Sequence, residues 1–255
     1  MVDLDPQANS TSGIGHDKTG AFSTTYQIIV DNLDPNEAIS ETKVNNLYII
    51  PSNHDLSAAD IELIPMVARE FVLSSALVKI VDRFDFIFLD CPPSLGLISI
   101  NALAASDRLF IPLQCEYYAL EGLGQLLRVF TLVKEKLKPD LEIGGVLLTM
   151  ADFRTKLTEQ VIQEVREYFK EKVFKTVIPR SVKLSEAPSF GTPGIIYDTT
   201  SKGSISYILA VEEFTQRFSP SESSEAQKVK GKSDQENLPK ETNPKEEILN
   251  EKGAR

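Results

Sequence analysis

The chain has 255 residues, of which 42% are hydrophobic and 25% charged, and this excludes a disordered or fibrous protein. Its formal net charge of −10 means that any nucleic-acid site depends on a local basic patch. Its two cysteines exclude a disulfide framework. Without a long apolar run or a secretory signal, we expect a cytoplasmic protein that does not span a membrane.

Apolar runs of strand length alternate with segments of helical periodicity along the chain. The predicted strands are residues 47–50, 84–89, 109–113, 143–148 and 173–178, and the predicted amphipathic helices are residues 120–137 and 157–169. This alternation predicts an α/β fold with a doubly wound, mainly parallel sheet. Ligands are expected beyond the carboxyl ends of its strands.

The composition changes at residue 219. Residues 219–255 contain no aromatic residue and are rich in Ser, Glu, Lys, Pro, Asn and Gln. Such a segment does not bury enough apolar surface to fold. We therefore predict a folded domain over residues 1–218 and a disordered polar, charged tail over residues 219–255.

Two acidic motifs carry candidate chemistry. Asp3 and Asp5 lie two apart on a predicted extended segment, where one carboxylate can hold a hydrated Mg²⁺ and the other can orient a water molecule. The alternative for this pair is a solvated strand end with a turn. Asp90 directly follows the apolar run 84–89. An acidic residue at the end of a buried strand is well placed to contact Mg²⁺ through a water molecule. It is equally able to cap the following helix.

Five ordered blocks resemble the ParA/Soj family of chromosome- and plasmid-partitioning ATPases. They are Asp3-Leu4-Asp5-Pro6-Gln7-x-Asn9, Leu89-Asp90-Cys91-Pro92-Pro93-Ser94-Leu95-Gly96, Gln114-Cys115-Glu116-Tyr117-Tyr118-Ala119-Leu120-Glu121-Gly122, Val177-Ile178-Pro179-Arg180 and Leu184-Ser185-Glu186-Ala187-Pro188-Ser189. The resemblance extends from Met1 to about Phe218. It implies a P-loop NTPase fold of the SIMIBI type that uses ATP and Mg²⁺.

One departure from the family concerns its phosphate-binding loop, a deviant Walker A motif of the form Lys-Gly-Gly-x-Gly-Lys-Thr. No segment of the 255 residues matches it. We expect an N-terminally truncated chain that lacks the family's first strand, P-loop and first helix, and that is inactive as it stands. A natural paralogue without a P-loop is the competing explanation.

The resemblance also implies roles for individual residues. Asp5 corresponds to the residue that positions the attacking water, and Asp3 and Asp90 correspond to residues that help to hold Mg²⁺. Pro179 and Arg180 resemble the segment near the adenine.

For DNA, the matching basic positions are Arg154 and Lys183. The family binds double-stranded DNA without sequence preference as an ATP-dependent homodimer, and a ParB-type partner stimulates hydrolysis. We therefore expect nucleoid association. Two alternatives are a non-catalytic ParA-like adaptor and, less favoured by the polar tail, a MinD-like membrane regulator.

Overall fold

A computed structural model describes residues 1–17 and 23–218, with only the backbone described for Tyr118. The predicted tail, residues 219–255, lies outside the described residues. The strands are β1 (Val2–Asp3), β2 (Ser40–Glu41), β3 (Tyr48–Ile49), β4 (Leu89–Asp90), β5 (Arg108–Gln114) and β6 (Glu142–Thr149). The chain divides into two units, Met1–Thr215 and Gln216–Arg255.

Eleven α-helices occur in the described part of the chain. They are α1 (Asn9–Gly13), α2 (Thr25–Ile29), α3 (Pro35–Ala38), α4 (Ala59–Glu62), α5 (Val72–Leu77), α6 (Leu97–Ala105), α7 (Tyr117–Lys136), α8 (Lys156–Phe169), α9 (Val182–Glu186), α10 (Gly194–Tyr197) and α11 (Lys202–Phe218). Short 3-10 helices cover His54–Ala58, Arg69–Phe71, Val81–Arg83, Lys170–Lys172 and Ala187–Phe190. None of the described helices is long and apolar enough to cross a membrane.

The first parallel layer has β1 at its centre. The Val2 amide donates to the Phe88 carbonyl (2.7 Å), and on the opposite edge the Asp3 amide donates to the Ile50 carbonyl (3.0 Å). Val2 and Leu4 are buried and pack with residues of α2, α5 and α6. β1 is therefore short but buried, with hydrogen-bonded neighbours on both sides.

The second parallel layer is longer and more regular. β5 pairs with β6 over its whole length, and beyond β6 the Phe174 amide donates to the Val146 carbonyl (2.9 Å). Val146 and Leu148 of β6 are buried in one core with Val161 and Val165 of α8. The predicted strands 109–113 and 143–148 and the helices 120–137 and 157–169 are confirmed. The predicted strand 173–178 is wrong, because that segment contains one isolated bridge, from Val173 to Val146, and no strand.

The prediction of a buried strand over residues 84–89 is wrong in part. Only β4, Leu89–Asp90, is strand, and the side chains of Phe86 and Phe88 are 39% and 50% exposed. The reason is pairing, since within the described residues β4 has a strand partner on one edge only, namely β1. The two rings pack instead against Phe214 of α11, with centroids 5.4 and 5.6 Å away.

Candidate functional site

The carboxyl ends of β1 and β4 bring acidic side chains together. The two strands are parallel, and Asp3 and Asp90 are register partners in the pair. Asp5 follows two residues after Asp3, in the turn that leads to α1, rather than on the extended strand that the sequence predicted. The structure therefore gathers the three predicted carboxylates at one edge of the sheet and places each in a different environment.

Asp3 is fully buried and bonded within the fold. Its Oδ2 accepts hydrogen bonds from the Thr11 amide (2.8 Å) and the Thr11 hydroxyl (2.7 Å), while its Oδ1 accepts one from the Asp5 amide (3.1 Å). Burial raises the pKa of the Asp3 carboxyl, and the Thr11 hydrogen bonds oppose this rise. Such surroundings fit a group that fixes the loop better than one in direct contact with a metal ion. The predicted metal role of Asp3 stays a prediction.

Asp90 and Asp5 are only partly buried, and each keeps an oxygen without a donor in the described part of the chain. Asp90 Oδ2 accepts from the Ser10 hydroxyl at 2.5 Å, and Asp5 Oδ1 accepts from the Gln7 amide at 2.9 Å. Asp90 therefore fits a water-mediated contact to Mg²⁺, and Asp5 fits a residue that orients water. Within residues 1–17 and 23–218, no three His, Cys, Asp or Glu side chains form a metal-binding group.

Two hydroxyl residues of α1 complete this edge and were missed from the sequence. Ser10 contacts Asp90 and Thr11 contacts Asp3, so the helix spans the carboxyl ends of both strands. Thr11 Oγ1 also accepts from the Ser52 amide (3.0 Å), which follows β3. The available signal was a pair of hydroxyls a few residues after the acidic block, because such side chains bond to nearby acceptors.

The residues present fit only part of a nucleotide site. Asp90 and Asp5 suit the metal and the water, but the 255-residue sequence contains no lysine-bearing glycine loop for phosphate groups. Such a loop supplies backbone amides and a lysine charge, which carboxylates do not replace.

Pro179 and Arg180 lie at the end of the second parallel layer. Pro179 forms a parallel bridge with Ala151, and the Arg180 amide donates to the Ala151 carbonyl (3.0 Å). The Arg180 guanidinium donates to Glu116 Oε1 at 2.6 Å, just before α7. The structure thus brings two of the resemblance blocks into contact, while the adenine role of Pro179 and Arg180 stays a prediction.

The predicted DNA-binding residues both form ion pairs with near neighbours. Arg154 donates from Nε and Nη2 to the two oxygens of Asp152 (2.8 and 2.6 Å), and these bonds lower the pKa of Asp152 to about 2. Lys183 on α9 bonds to Glu186 at 3.0 Å. The Arg154 side chain is 87% exposed, so its charge faces solvent although it is paired.

Comparisons with known proteins identify the family of this chain. A family profile described as an AAA domain matches residues 1–143. The sporulation initiation inhibitor protein Soj of Bacillus subtilis is 53% identical over 213 residues, which cover 84% of this chain and 84% of that protein. The chromosome partitioning protein ParA of Myxococcus xanthus is 47% identical over 220 residues, or 86% and 78% of the two chains.

The chain belongs to the ParA/Soj family of chromosome-partitioning proteins. Solved structures support the corresponding fold. Cobyrinic acid a,c-diamide synthase of Mycobacterium smegmatis, with bound ADP and magnesium, has a TM-score of 0.69 and 33% identity over 81% of this chain and 76% of that one. MinD of Pyrococcus horikoshii, complexed with Mg-ADP, has a TM-score of 0.64 and 25% identity over 83% and 81%. The predicted P-loop NTPase-like α/β fold of this ParA/Soj family member is confirmed.

Proposed function

We propose that this chain carries the carboxylate part of a ParA/Soj-type ATPase that acts in chromosome or plasmid segregation, and that the 255 residues by themselves are inactive because they contain no phosphate-binding loop. The observation that carries the proposal is the edge where Asp5 and Asp90 keep acceptor oxygens beside α1, in a chain 53% identical to Soj. ATP and Mg²⁺ are the proposed cofactors, since both solved relatives named above hold a nucleotide with magnesium.

Each carboxylate of the site has its own task in this proposal. Bound magnesium would neutralise phosphate charge, and Asp90 would hold it through a water molecule on the oxygen that Ser10 leaves free. Asp5 would accept a hydrogen bond from a water molecule and so orient it. Asp3 fixes the turn that leads from Asp5 to α1 through its hydrogen bonds with Thr11 and the Asp5 amide. Pro179 and Arg180 would lie near the adenine.

The DNA contacts of the proposal are Arg154 and Lys183. Both are exposed basic side chains on a chain whose overall charge is negative, and each would supply local positive charge for a DNA phosphate group. An ATP-dependent homodimer would present two such patches to double-stranded DNA on the nucleoid in the cytoplasm. A ParB-type partner would then stimulate hydrolysis and release.

The decisive experiment measures binding of fluorescent ATP with Mg²⁺ by this chain. The matched sample, called the loop-bearing sample below, is the same chain joined at Met1 to a family strand, Lys-Gly-Gly-x-Gly-Lys-Thr loop and helix. Each charge-assisted contact that the loop supplies is worth about 1.5–3 kcal/mol, so the loop-bearing sample should bind ATP more tightly than this chain by orders of magnitude. Binding by neither sample, with this chain folded, would favour the non-catalytic adaptor.

A second experiment tests the DNA residues in the loop-bearing sample. Arg154→Glu combined with Lys183→Glu should abolish retention on nonspecific DNA while ATP binding is unchanged, because these two residues pair with Asp152 and Glu186 and not with Asp3, Asp5 or Asp90. Unchanged DNA retention would refute the assignment.

A further inference from the structure

Helix α1 is attached to the acidic edge through two consecutive side chains. The Ser10 hydroxyl donates to Asp90 Oδ2 at 2.5 Å, and Thr11 donates both its amide and its hydroxyl to Asp3 Oδ2. Within the described residues the helix has no side-chain cap, and Ala8 before it has a positive φ of 54°. Because the helix lacks a side-chain cap, its position depends on the two carboxylates together with the Ser52 amide, which donates to Thr11 Oγ1.

The chain that leaves α1 makes a backbone-to-backbone contact with a distant segment. Gly15 has φ +80° and Gly191 has φ +58°, and both values favour glycine. A Cβ built on Gly15 would lie 2.7 Å from the Gly191 carbonyl oxygen, and one on Gly191 would lie 2.7 Å from Gly15 Cα. Because real Cβ atoms do not approach backbone atoms so closely, a methyl group at either position must push the segments apart.

Gly191 ends the helical segment that carries Lys183. Helix α9 runs over Val182–Glu186 and continues directly into the 3-10 helix Ala187–Phe190. The Gly191 amide donates to the Pro188 carbonyl (3.0 Å), and Ala187 is buried. A displacement of Gly191 is therefore passed to Lys183 through continuous helical turns rather than through a flexible loop.

We propose that Gly15 and Gly191 are positioning residues that couple the carboxylate edge, through α1, to the segment that carries Lys183. The first step of the coupling has a physical origin, because a cation held through water at the other oxygen of Asp90 would act on the same carboxylate to which Ser10 donates. Its last step is steric, because two backbones in contact without intervening side chains have no soft atoms to absorb a shift. The assignment rests on the proposed function for its role in DNA binding, but the coupling itself does not.

Hydrogen-exchange mass spectrometry on the 255-residue chain, without nucleotide or DNA, tests the coupling. Gly191→Ala should speed exchange of the amides of residues 8–16, and Ser10→Ala should speed exchange of residues 185–192, each by about tenfold. The effect of Ser10→Ala on residues 185–192 is the discriminating one, because Ser10 does not touch that segment through the Gly15–Gly191 contact and a purely local role would leave it unchanged. Rates are compared after correction for global stability measured by urea unfolding.

Gly13→Ala is the matched control, because no atom lies within 4 Å of the Cβ built there. It should leave residues 185–192 unchanged. An effect of Ser10→Ala confined to residues 8–16, or equal effects of Gly13→Ala and Gly191→Ala, would overturn the proposal. If Gly191→Ala does not fold, Ser10→Ala still decides, since it removes one oxygen and adds no atom. DNA retention by the unaltered loop-bearing sample tests the proposed function separately.

Discussion

The acidic edge and the basic residues of this protein both contain an aspartate that accepts several hydrogen bonds, but the donors are of different kinds. Asp3 is fully buried and accepts three hydrogen bonds from neutral donors of the turn and of α1. Arg154 is exposed and pairs with Asp152, an acid two residues earlier in the chain.

The two kinds of pairing therefore have different effects: one fixes the backbone, and the other changes the positive charge that a ligand meets. A buried carboxylate with several donors fixes the backbone around it, and removing it leaves those donors unsatisfied. An exposed ion pair contributes little to stability, because water and salt screen it. Its main effect is on how much positive charge is available to a ligand.

The largest expected effect is the loss of stability when the buried carboxylate of Asp3 is removed. Asp3→Ala should lower the free energy of unfolding by about 2–3 kcal/mol, because the buried amide and hydroxyl of Thr11 lose their acceptor. Urea unfolding followed by circular dichroism measures the change.

Asp5→Ala is the control for this prediction. Asp5 is only partly buried, and its carboxylate accepts one hydrogen bond, from the Gln7 amide. Its loss should cost less than about 1 kcal/mol. Equal losses for the two variants would show that Asp3 does not hold the turn.

Much of the fold was predictable from local pattern. β5, β6, α7 and α8 follow from apolar runs and helical periodicity, which reflect burial by neighbours in the second parallel layer. The exposure of Phe86 and Phe88 was not predictable in this way. An apolar run indicates that a segment is able to be buried, whereas the pairing of β4 on one edge only is a property of the assembled sheet.

The site was predictable to a lesser extent. The grouping of Asp3 with Asp90 follows from two strand ends in a parallel sheet, but their different environments do not. Which aspartate accepts a hydrogen bond from Thr11 and which from Ser10 depends on where α1 lies in three dimensions. The Gly15–Gly191 contact joins positions far apart in sequence, and a lone glycine gives no indication of its distant neighbour.

A smaller effect is expected at the basic residues, where neutralising the neighbouring acids should strengthen DNA binding. Asp152→Asn with Glu186→Gln removes the carboxylates that pair with Arg154 and Lys183. Affinity of the loop-bearing sample for nonspecific DNA should rise by about threefold to tenfold, and the salt dependence should steepen by about one unit for each additional DNA phosphate that is neutralised. Fluorescence anisotropy over a range of salt concentrations measures both quantities.

Asp140→Asn serves as the control for the charge change. Asp140 is exposed and carries no ion pair in the described part of the chain. If it strengthens DNA binding as much per charge removed, the effect comes from net charge and not from Arg154 and Lys183.

The smallest effects are expected in titration, where the two kinds of carboxyl should shift in opposite directions from the ordinary pKa of 3.8. Burial raises the pKa of Asp3 above 3.8, so the native state binds more protons there than the unfolded state does. The free energy of unfolding therefore falls as the pH rises from 3.8 through the raised pKa. The hydrogen bonds from Arg154 lower the pKa of Asp152 to about 2, so its contribution is lost as pH falls from 3.8 towards 2. NMR titration of the aspartate carboxyl carbons separates the two.

Two variants refine the comparison at the level of single hydrogen bonds. Thr11→Val removes the hydroxyl that holds the ionised Asp3, so the pKa of Asp3 should rise further. Arg154→Ala should return the pKa of Asp152 towards 3.8 and leave Asp3 unchanged. A pKa below 3.8 for Asp3 in the unaltered chain would mean that its donors outweigh its burial. In that case Asp3 would be held by charge-assisted bonds, as Asp152 is, and the contrast between the two regions would lie in exposure alone.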